Sequence, residues 1–376
     1  MVNPVRVLHV FSRMDRGGAE MRTLELMRHV DRSRFQMDFL VTSGVKGQLD
    51  EEIQALGGKV IPCSLRSMGF PARFGAIVRS GGYDVVHSHL HLFSGLILML
   101  AARQRTPVRI AHFRSMGDAH QDGLLRNVQR AAMRRLVDRH ATDILGVSEG
   151  ALAGSWRGDW RNDPRCRVVY NGLDIAAYRA PSDREGVCAE FGVPVDARLC
   201  VHVGRFCEAK NQGRLASVFV ELAALQPDAY LLLVGKPGGR EEELAHAAIN
   251  AAGLQDRAVF AGERSDVSRI LCAADLAFLP SRREGLPGAV LEACAAGIPV
   301  IASDLPGCLE IATHFDLVRC LPLEEPDRVW AEAARDALMS HQPDRAAALA
   351  RFDASPFSLE TCARAITRVW EKGATT

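Results

Sequence analysis

Residues 276–302 read LAFLPSRREGLPGAVLEACAAGIPVIA. Leu276–Leu279 is a short apolar run, Glu284 to Glu292 a glycine-bearing loop entering a helix, and Pro299–Ala302 a second apolar run. Runs of this length bounded by proline and glycine read as buried strands, and two of them joined through a helix make a βαβ unit with parallel strands.

The same alternation extends outward in both directions. On the amino-terminal side the strand candidates are Val5–Phe11, Met37–Thr42, Lys59–Pro62, Val85–His87, Val108–His112, Ile144–Val147 and Arg167–Tyr170. Around the quoted stretch stand Leu199–Val203, Tyr230–Val234 and Ala258–Phe260. A polar, Pro- and Asp-bearing stretch at Leu173–Arg198 separates the two series and reads as a hinge. The fold class is therefore α/β, with two Rossmann-like doubly wound domains, expected at 1–175 and 176–356, and a ligand cleft between the carboxyl ends of their sheets. Leu359, Cys362, Ile366 and Trp370 repeat at spacings of three and four, so 357–376 is expected as a helix that returns to the first domain after the Pro356 break.

A chain of 376 residues suits two cores of this size, and 48% hydrophobic with 24% charged residues is an ordinary globular balance. No apolar run reaches the roughly 18 residues of a membrane span, and Leu92–Ala102 reads as a core helix. Met1–Arg6 enters a strand-like run at once, which leaves no room for a signal peptide and gives a cytoplasmic location as the expectation. The ten cysteines include no C-x-x-C pair and mostly sit in apolar runs, so free thiols and no metal site are expected. The net charge of +1 conceals an asymmetry. Residues 1–178 carry 25 basic against 17 acidic side chains, and residues 179–376 carry 21 against 28. The basic half is expected to meet something anionic.

A glycine-bearing loop that opens a helix offers unpaired N–H groups and a positive dipole end to a phosphate. Pro287 has no N–H, which leaves Leu286, Gly288 and Ala289 as donors. Glu284 and Glu292, eight positions apart, bracket that site, one on the loop and one a turn inside the helix; ordinary helix-start acids are the alternative. Strand Leu199–Val203 runs into Gly204-Arg205 and then Lys210-Asn211, and two fixed cations there can neutralise a diphosphate without a metal; a pair of solvated surface cations is the alternative. After Val5–Phe11 come Gly17 and Gly18, which permit close backbone approach to a ligand or form a plain tight turn. From Leu124 to Arg139, Leu125, Val128, Ala132, Leu136 and Val137 form an apolar stripe flanked by Arg126, Arg130, Arg134, Arg135 and Arg139. Either the helix packs on the core with a solvated charged face, or it docks on anionic lipid; nucleic acid is disfavoured because no aromatic stacking surface accompanies the arginines.

Taken in order, Gly17-Gly18-Ala19-Glu20, Asn171-Gly172-Leu173-Asp174, Gly204-Arg205 with Lys210-Asn211, and Glu284 with Glu292 resemble glycosyltransferase family 4, retaining enzymes of GT-B fold. His87-Ser88-His89-Leu90 and Arg109-Ile110-Ala111-His112 are most similar to its bacterial exopolysaccharide-assembly members. The resemblance implies a nucleotide-diphosphate sugar donor, UDP favoured over GDP-mannose, and a saccharide or lipid-linked acceptor at the inner membrane face, with no metal or other cofactor. It gives Glu284 the hydroxyls of the donor sugar, Glu292 the ribose diol, Arg205 and Lys210 the diphosphate, Gly18 a donor phosphate, and His112 the sugar near the reacting carbon. The family histidine often falls one or two positions later, at Phe113 or Arg114 here, so a structural His112 stays open. A nucleotide-sugar epimerase of the same fold and a non-catalytic nucleotide-sugar-binding protein are the competing functions.

Overall fold

The structure is a computed structural model and describes residues 3–115, 123–340 and 344–374. The chain divides into two compact units, Met1–Gly172 with Leu359–Thr376, and Leu173–Ser358.

The first unit is built on seven parallel strands: β1 (Val5–Phe11), β2 (Phe35–Val41), β3 (Val60–Pro62), β4 (Val85–Ser88), β5 (Val108–Phe113), β6 (Asp143–Gly146) and β7 (Cys166–Val168), in the order β3-β2-β1-β4-β5-β6-β7. The second has six: β8 (Arg198–Val203), β9 (Ala229–Val234), β10 (Ala258–Gly262), β11 (Leu276–Leu279), β12 (Val300–Ser303) and β13 (Val318–Leu321), in the order β10-β9-β8-β11-β12-β13. Each order reverses once, between β1 and β4 and between β8 and β11. Loops at such a reversal splay to opposite faces and leave a crevice at the carboxyl ends of the strands, where ligands of doubly wound sheets bind.

The strand period of two sorts the first core. Val5, Val7 and Phe11 of β1, Val85 of β4 and Val108 and Ile110 of β5 face one side, where Ile366, Val369 and Trp370 cover them. Leu8, Val10, Val86, Ala111 and Phe113 face the other, against Ile97, Leu98 and Val137. The covering helix, Leu359–Trp370, buries Cys362, Ala363, Ile366, Val369 and Trp370 on one stripe. In the second unit Cys200, Leu231, Leu233, Leu276 and Phe278 pack on Leu215, Phe219 and Leu222 of the helix Gln212–Leu225, and on Trp330.

Several expectations shift. The stretch 173–198 is not a bare hinge: it carries a short helical turn, Ala176–Arg179, and the helix Arg184–Phe191 within the second unit. Strand β13 was absent from the sequence reading because Arg319 and Cys320 give Val318–Leu321 no apolar run. Leu92–Ala102 becomes a turn at His91–Phe93 and a core helix at Ser94–Arg103. The stripe on Leu124–His140 is also corrected. Val128 is 62% exposed and Ala132 is exposed, while Met133 and Val137 pack inward, because the helix presses its Met133–Val137 backbone against Gly95. The side chain of Leu125 lies outside the described residues. All ten cysteines are free. No helix among the described residues is long and apolar enough to cross a membrane.

Candidate active site

The loops after β8 and β11 meet at the switch point of the second sheet. Lys210 Nζ lies 2.6 Å from Glu284 Oε1, with side chains 21% and 11% exposed. Two residues that the sequence placed on separate loops thus form one ion pair. The loops are also joined by Arg282 N–H donating to the Ala209 carbonyl, by Asn211 Nδ2 donating to the Pro280 carbonyl, and by Arg282 donating to Asn211 Oδ1. Asn211 sits in the left-handed region at φ 60°, a conformation Asn tolerates better than most residues, and caps the helix Gln212–Leu225. Arg205 is exposed at the end of β8, and its guanidinium has no partner among the described residues.

Glu284 leads through Leu286 to the helix Gly288–Ala296, whose amino end carries no side-chain cap. Its first N–H groups, at Gly288 and Ala289, therefore have no intrahelical acceptor. Glu292 lies in the second turn of this helix, half-buried. Leu286 is buried.

Sequence reasoning missed the residues that hold these loops. A Cβ on Gly235 would stand 2.0 Å from the Gly204 carbonyl oxygen and 2.9 Å from Arg205 N, so only glycine lets the β9 end back the Arg205 loop. A Cβ on Gly307 would stand 2.2 Å from the Gly285 oxygen, which gives the same support to the Glu284 loop. Gln212, fully buried, turns its amide N–H groups to the Gly204 and Arg205 carbonyls and to His202 Nε2. His202 Nδ1–H donates in turn to the Phe278 carbonyl, and burial pulls its pKa down to about 4, so it stays a neutral strut between β8 and β11.

In the first unit, Gly17 caps the helix Gly18–His29 without a side-chain bond, and Gly18 is exposed with open space where a Cβ would stand. The turn is accessible. His112 is elsewhere, buried at 3% exposure on the sheet face under Leu359–Trp370. His9 on β1 and His87 on β4 share this face with it, and His89 follows β4. His87 Nε2 lies 3.0 Å from His112 Nδ1 with ring centroids 5.2 Å apart at 11°, an edge-to-edge pair. His9 Nδ1 and His89 Nε2 form a second such pair at 3.0 Å, and His87 and His89 stack at 4.4 Å. Burial, helped by neighbouring cations, pushes His87, His89 and His112 well below the usual imidazole range and His9 to about 3. Arg114, where the family histidine is often found, reaches His89 Nδ1 at 3.2 Å, Thr23 Oγ1 at 3.1 Å and the Asn171 amide oxygen. His112 has one nitrogen tied and one left over, which suits a structural role and a ligand contact alike.

Among the described residues, His9, His87 and His89 have the spacing of metal ligands. Their hydrogen bonds oppose that use. Arg114 Nε–H donates to His89 Nδ1, so neutral His89 carries its proton on Nε2, the nitrogen facing His9. Trp370 Nε1–H donates to His87 Nδ1 at 3.4 Å, so His87 carries its proton on Nε2 as well. A nitrogen that bears a proton has no lone pair for a metal.

A doubly wound sheet with two fixed cations, two carboxylates and an uncapped helix end at its switch point is built to hold a nucleotide-linked, polyhydroxylated ligand. Comparison with known proteins defines which kind. Residues 17–172 match the model of a glycosyl transferase 4-like domain, and residues 184–346 that of glycosyl transferases group 1. EpsF of Bacillus subtilis, a glycosyltransferase by name, is 30% identical over 350 residues, covering 90% of this chain and 89% of its own. The capsular polysaccharide biosynthesis glycosyltransferase CapH of Staphylococcus aureus is 28% identical over 333 residues, 88% of this chain and 90% of that one. The crystal structure of HepE from Anabaena in complex with UDP superposes with a TM-score of 0.79 at 19% identity, covering 97% of this chain and 98% of that one. The chain belongs to the glycosyltransferases that join a 4-like domain to a group 1 domain, and its fold is GT-B.

Proposed function

We propose that this glycosyltransferase moves a sugar, with retention, from a UDP-sugar to a saccharide or lipid-linked acceptor in the assembly of a bacterial polysaccharide. The Lys210–Glu284 ion pair beside Arg205 carries this reading. In the free protein each half-buried charge satisfies the other. When a donor binds, Lys210 turns to the diphosphate and Glu284 accepts hydrogen bonds from sugar hydroxyls, so neither charge is left unpaired, a state that would be costly. Arg205 adds the second cation, Glu292 takes the ribose diol, and the N–H groups of Leu286, Gly288 and Ala289 face phosphate oxygens. As the bond between the anomeric carbon and the phosphate oxygen breaks, its electron pair leaves with the diphosphate. The acceptor oxygen bonds to the anomeric carbon, and its proton passes to a phosphate oxygen. Positive charge fixed where negative charge develops is the largest ordinary source of such catalysis.

The name of CapH supports a carbohydrate-polymer setting, and the UDP complex of HepE supports the uracil base. Arg130, Arg134, Arg135 and Arg139, with exposed Val128, suit contact with an anionic membrane surface on the cytoplasmic side, where a lipid-linked acceptor would be met. A panel of UDP- and GDP-sugars, monitored by nucleotide release with and without a lipid-linked saccharide, tests the reading. We expect acceptor-dependent release of UDP that persists in excess chelator. Donor turnover without acceptor would select an epimerase, binding without turnover a carrier, and loss of activity in chelator restored by manganese would refute a metal-free site.

A further inference from the structure

The two donors that set the histidine protons also determine what the neighbouring pocket accepts. Trp370 fixes His87 with its proton on Nε2, so His112 Nδ1 must accept and neutral His112 carries its proton on Nε2. Arg114 fixes His89 in the same form, so His9 Nδ1 accepts and His9 also carries its proton on Nε2. All four rings are thereby locked as one tautomer, and two N–H groups, His9 Nε2–H and His112 Nε2–H, remain buried without an acceptor among the described residues. A buried donor in that state is costly, so a native structure that keeps two of them in one cluster calls for a partner.

His9, His112 and Arg114 line a small pocket in the first unit. No acidic side chain is among its lining residues. Its other cation, Arg22, is paired with Glu25 at 2.6 Å, and Glu20 acts on Arg114 from nearby. The Asn171 amide oxygen, an acceptor on the wall, takes one bond from Arg114. The side chains thus present mainly donors. A water molecule placed there needs acceptors for its own hydrogens as well, whereas an anion needs only donors.

We propose that this pocket is a binding site for a small monoanion, halide- or carboxylate-sized, gripped by His9 Nε2–H, His112 Nε2–H and the Arg114 guanidinium. Trp370 and Arg114 act as positioning residues that hold both rings in the donor tautomer. The site is built from residues of the first unit alone, and it holds whether or not His112 also meets a substrate.

The test uses the full-length protein labelled with ¹⁵N-histidine. Long-range ¹H–¹⁵N spectra report the tautomer of each ring, and titration with bromide or formate at constant ionic strength follows the Nε2 resonances of His9 and His112. We expect all four rings as pure Nε2–H tautomers, saturable shifts confined to His9 and His112, and anomalous density between them in crystals soaked in bromide. Trp370→Phe keeps an aromatic ring in the core and removes the lock. It should give mixed tautomers at His87 and His112 and weaken anion binding about 5–10-fold, the equivalent of one hydrogen bond. Any Nδ1–H tautomer in the wild-type cluster, or a crystal in which ordered waters alone satisfy both N–H groups and bromide neither enters nor shifts them, overturns the proposal.

Discussion

Replacing Lys210 by alanine separates catalysis from stability, because the same ammonium serves both. Its partner Glu284 is 11% exposed, so the variant strands a largely buried carboxylate. The loss lies between the roughly 0–1 kcal/mol of an exposed pair and the roughly 3–5 kcal/mol of a broken buried one. Partial burial suggests about 1–3 kcal/mol, or a fall in Tm of about 2–12 °C for a unit of this size. Glu284→Gln in the same chain removes the stranded charge and should restore most of that Tm. The catalytic loss behaves differently. Charge on the departing diphosphate grows toward the transition state, so part of the Lys210 contribution exists only there, and kcat should drop about 10²–10³-fold. The double variant should stay as slow as Lys210→Ala or slower while regaining its stability. Lys210→Arg keeps the charge without the point geometry and should recover part of kcat. Steady-state kinetics at saturating acceptor, beside calorimetry, reads both effects. If Lys210→Ala raises the donor KM and leaves kcat untouched, the role given to the ammonium is wrong.

If Glu292 holds the ribose diol, Glu292→Ala removes hydrogen bonds made equally before and during reaction, so the donor KM should rise about 10–100-fold with kcat little changed; the reverse pattern would move Glu292 off the ribose. Gly235→Ala forces the Arg205 loop aside and should lower kcat/KM by about 10²-fold while circular dichroism stays native; full activity would mean the loop relaxes freely. His9, His87, His89 and His112 bind fewer protons folded than unfolded below pH 6.5, so their stabilisation is complete above 6.5 and fades as pH falls toward the folded values, about 3 for His9. Each contributes a slope of at most about 1.4 kcal/mol per pH unit, so the urea midpoint should fall steadily from pH 7 to 5; a flat midpoint would mean the rings protonate in place. Binding to anionic vesicles should weaken with salt and with charge reversal at Arg130, Arg134 and Arg135; indifference to both would leave the helix as a plain solvated surface.

What the sequence disclosed followed from how local each signal is. The strand-loop-helix-strand pattern at 276–302 depends on neighbours in the chain, and β11, β12 and the helix between them stand within a residue or so of that reading. Glu284 and Lys210 could be singled out because charged residues beside a glycine-bearing helix start are rare enough to notice. Gly235 and Gly307 could not, since their meaning is a contact with Gly204 and Gly285, far away in sequence. Gln212 looked like an ordinary first-turn residue until its amide was seen to hold two carbonyls. The four histidines lie on three strands and a loop, and only register brings His9 beside His87. His87-Ser88-His89 and His112 were visible signals, but nothing local reveals that they share a face. On Leu124–His140 the periodicity was read correctly as helical, and its phase was set wrongly because Val128 and Ala132 were apolar without being covered.

The last helix has a consequence for how the protein is born. Val369 and Trp370 fill the core of the unit that begins at the amino terminus, so that core stays open until the whole of Leu173–Ser358 has left the ribosome. At about 5–20 residues per second the delay is on the order of 10–40 s, during which the face that Ile366, Val369 and Trp370 complete is only partly covered, by Leu24 and Met27 among others. A nascent chain interrupted anywhere before Leu359 would offer that face to chaperones and proteases, whatever the state of its second half. Maturation of the first unit is thereby coupled to synthesis of the second, since its core closes only once Leu359–Trp370 has been made.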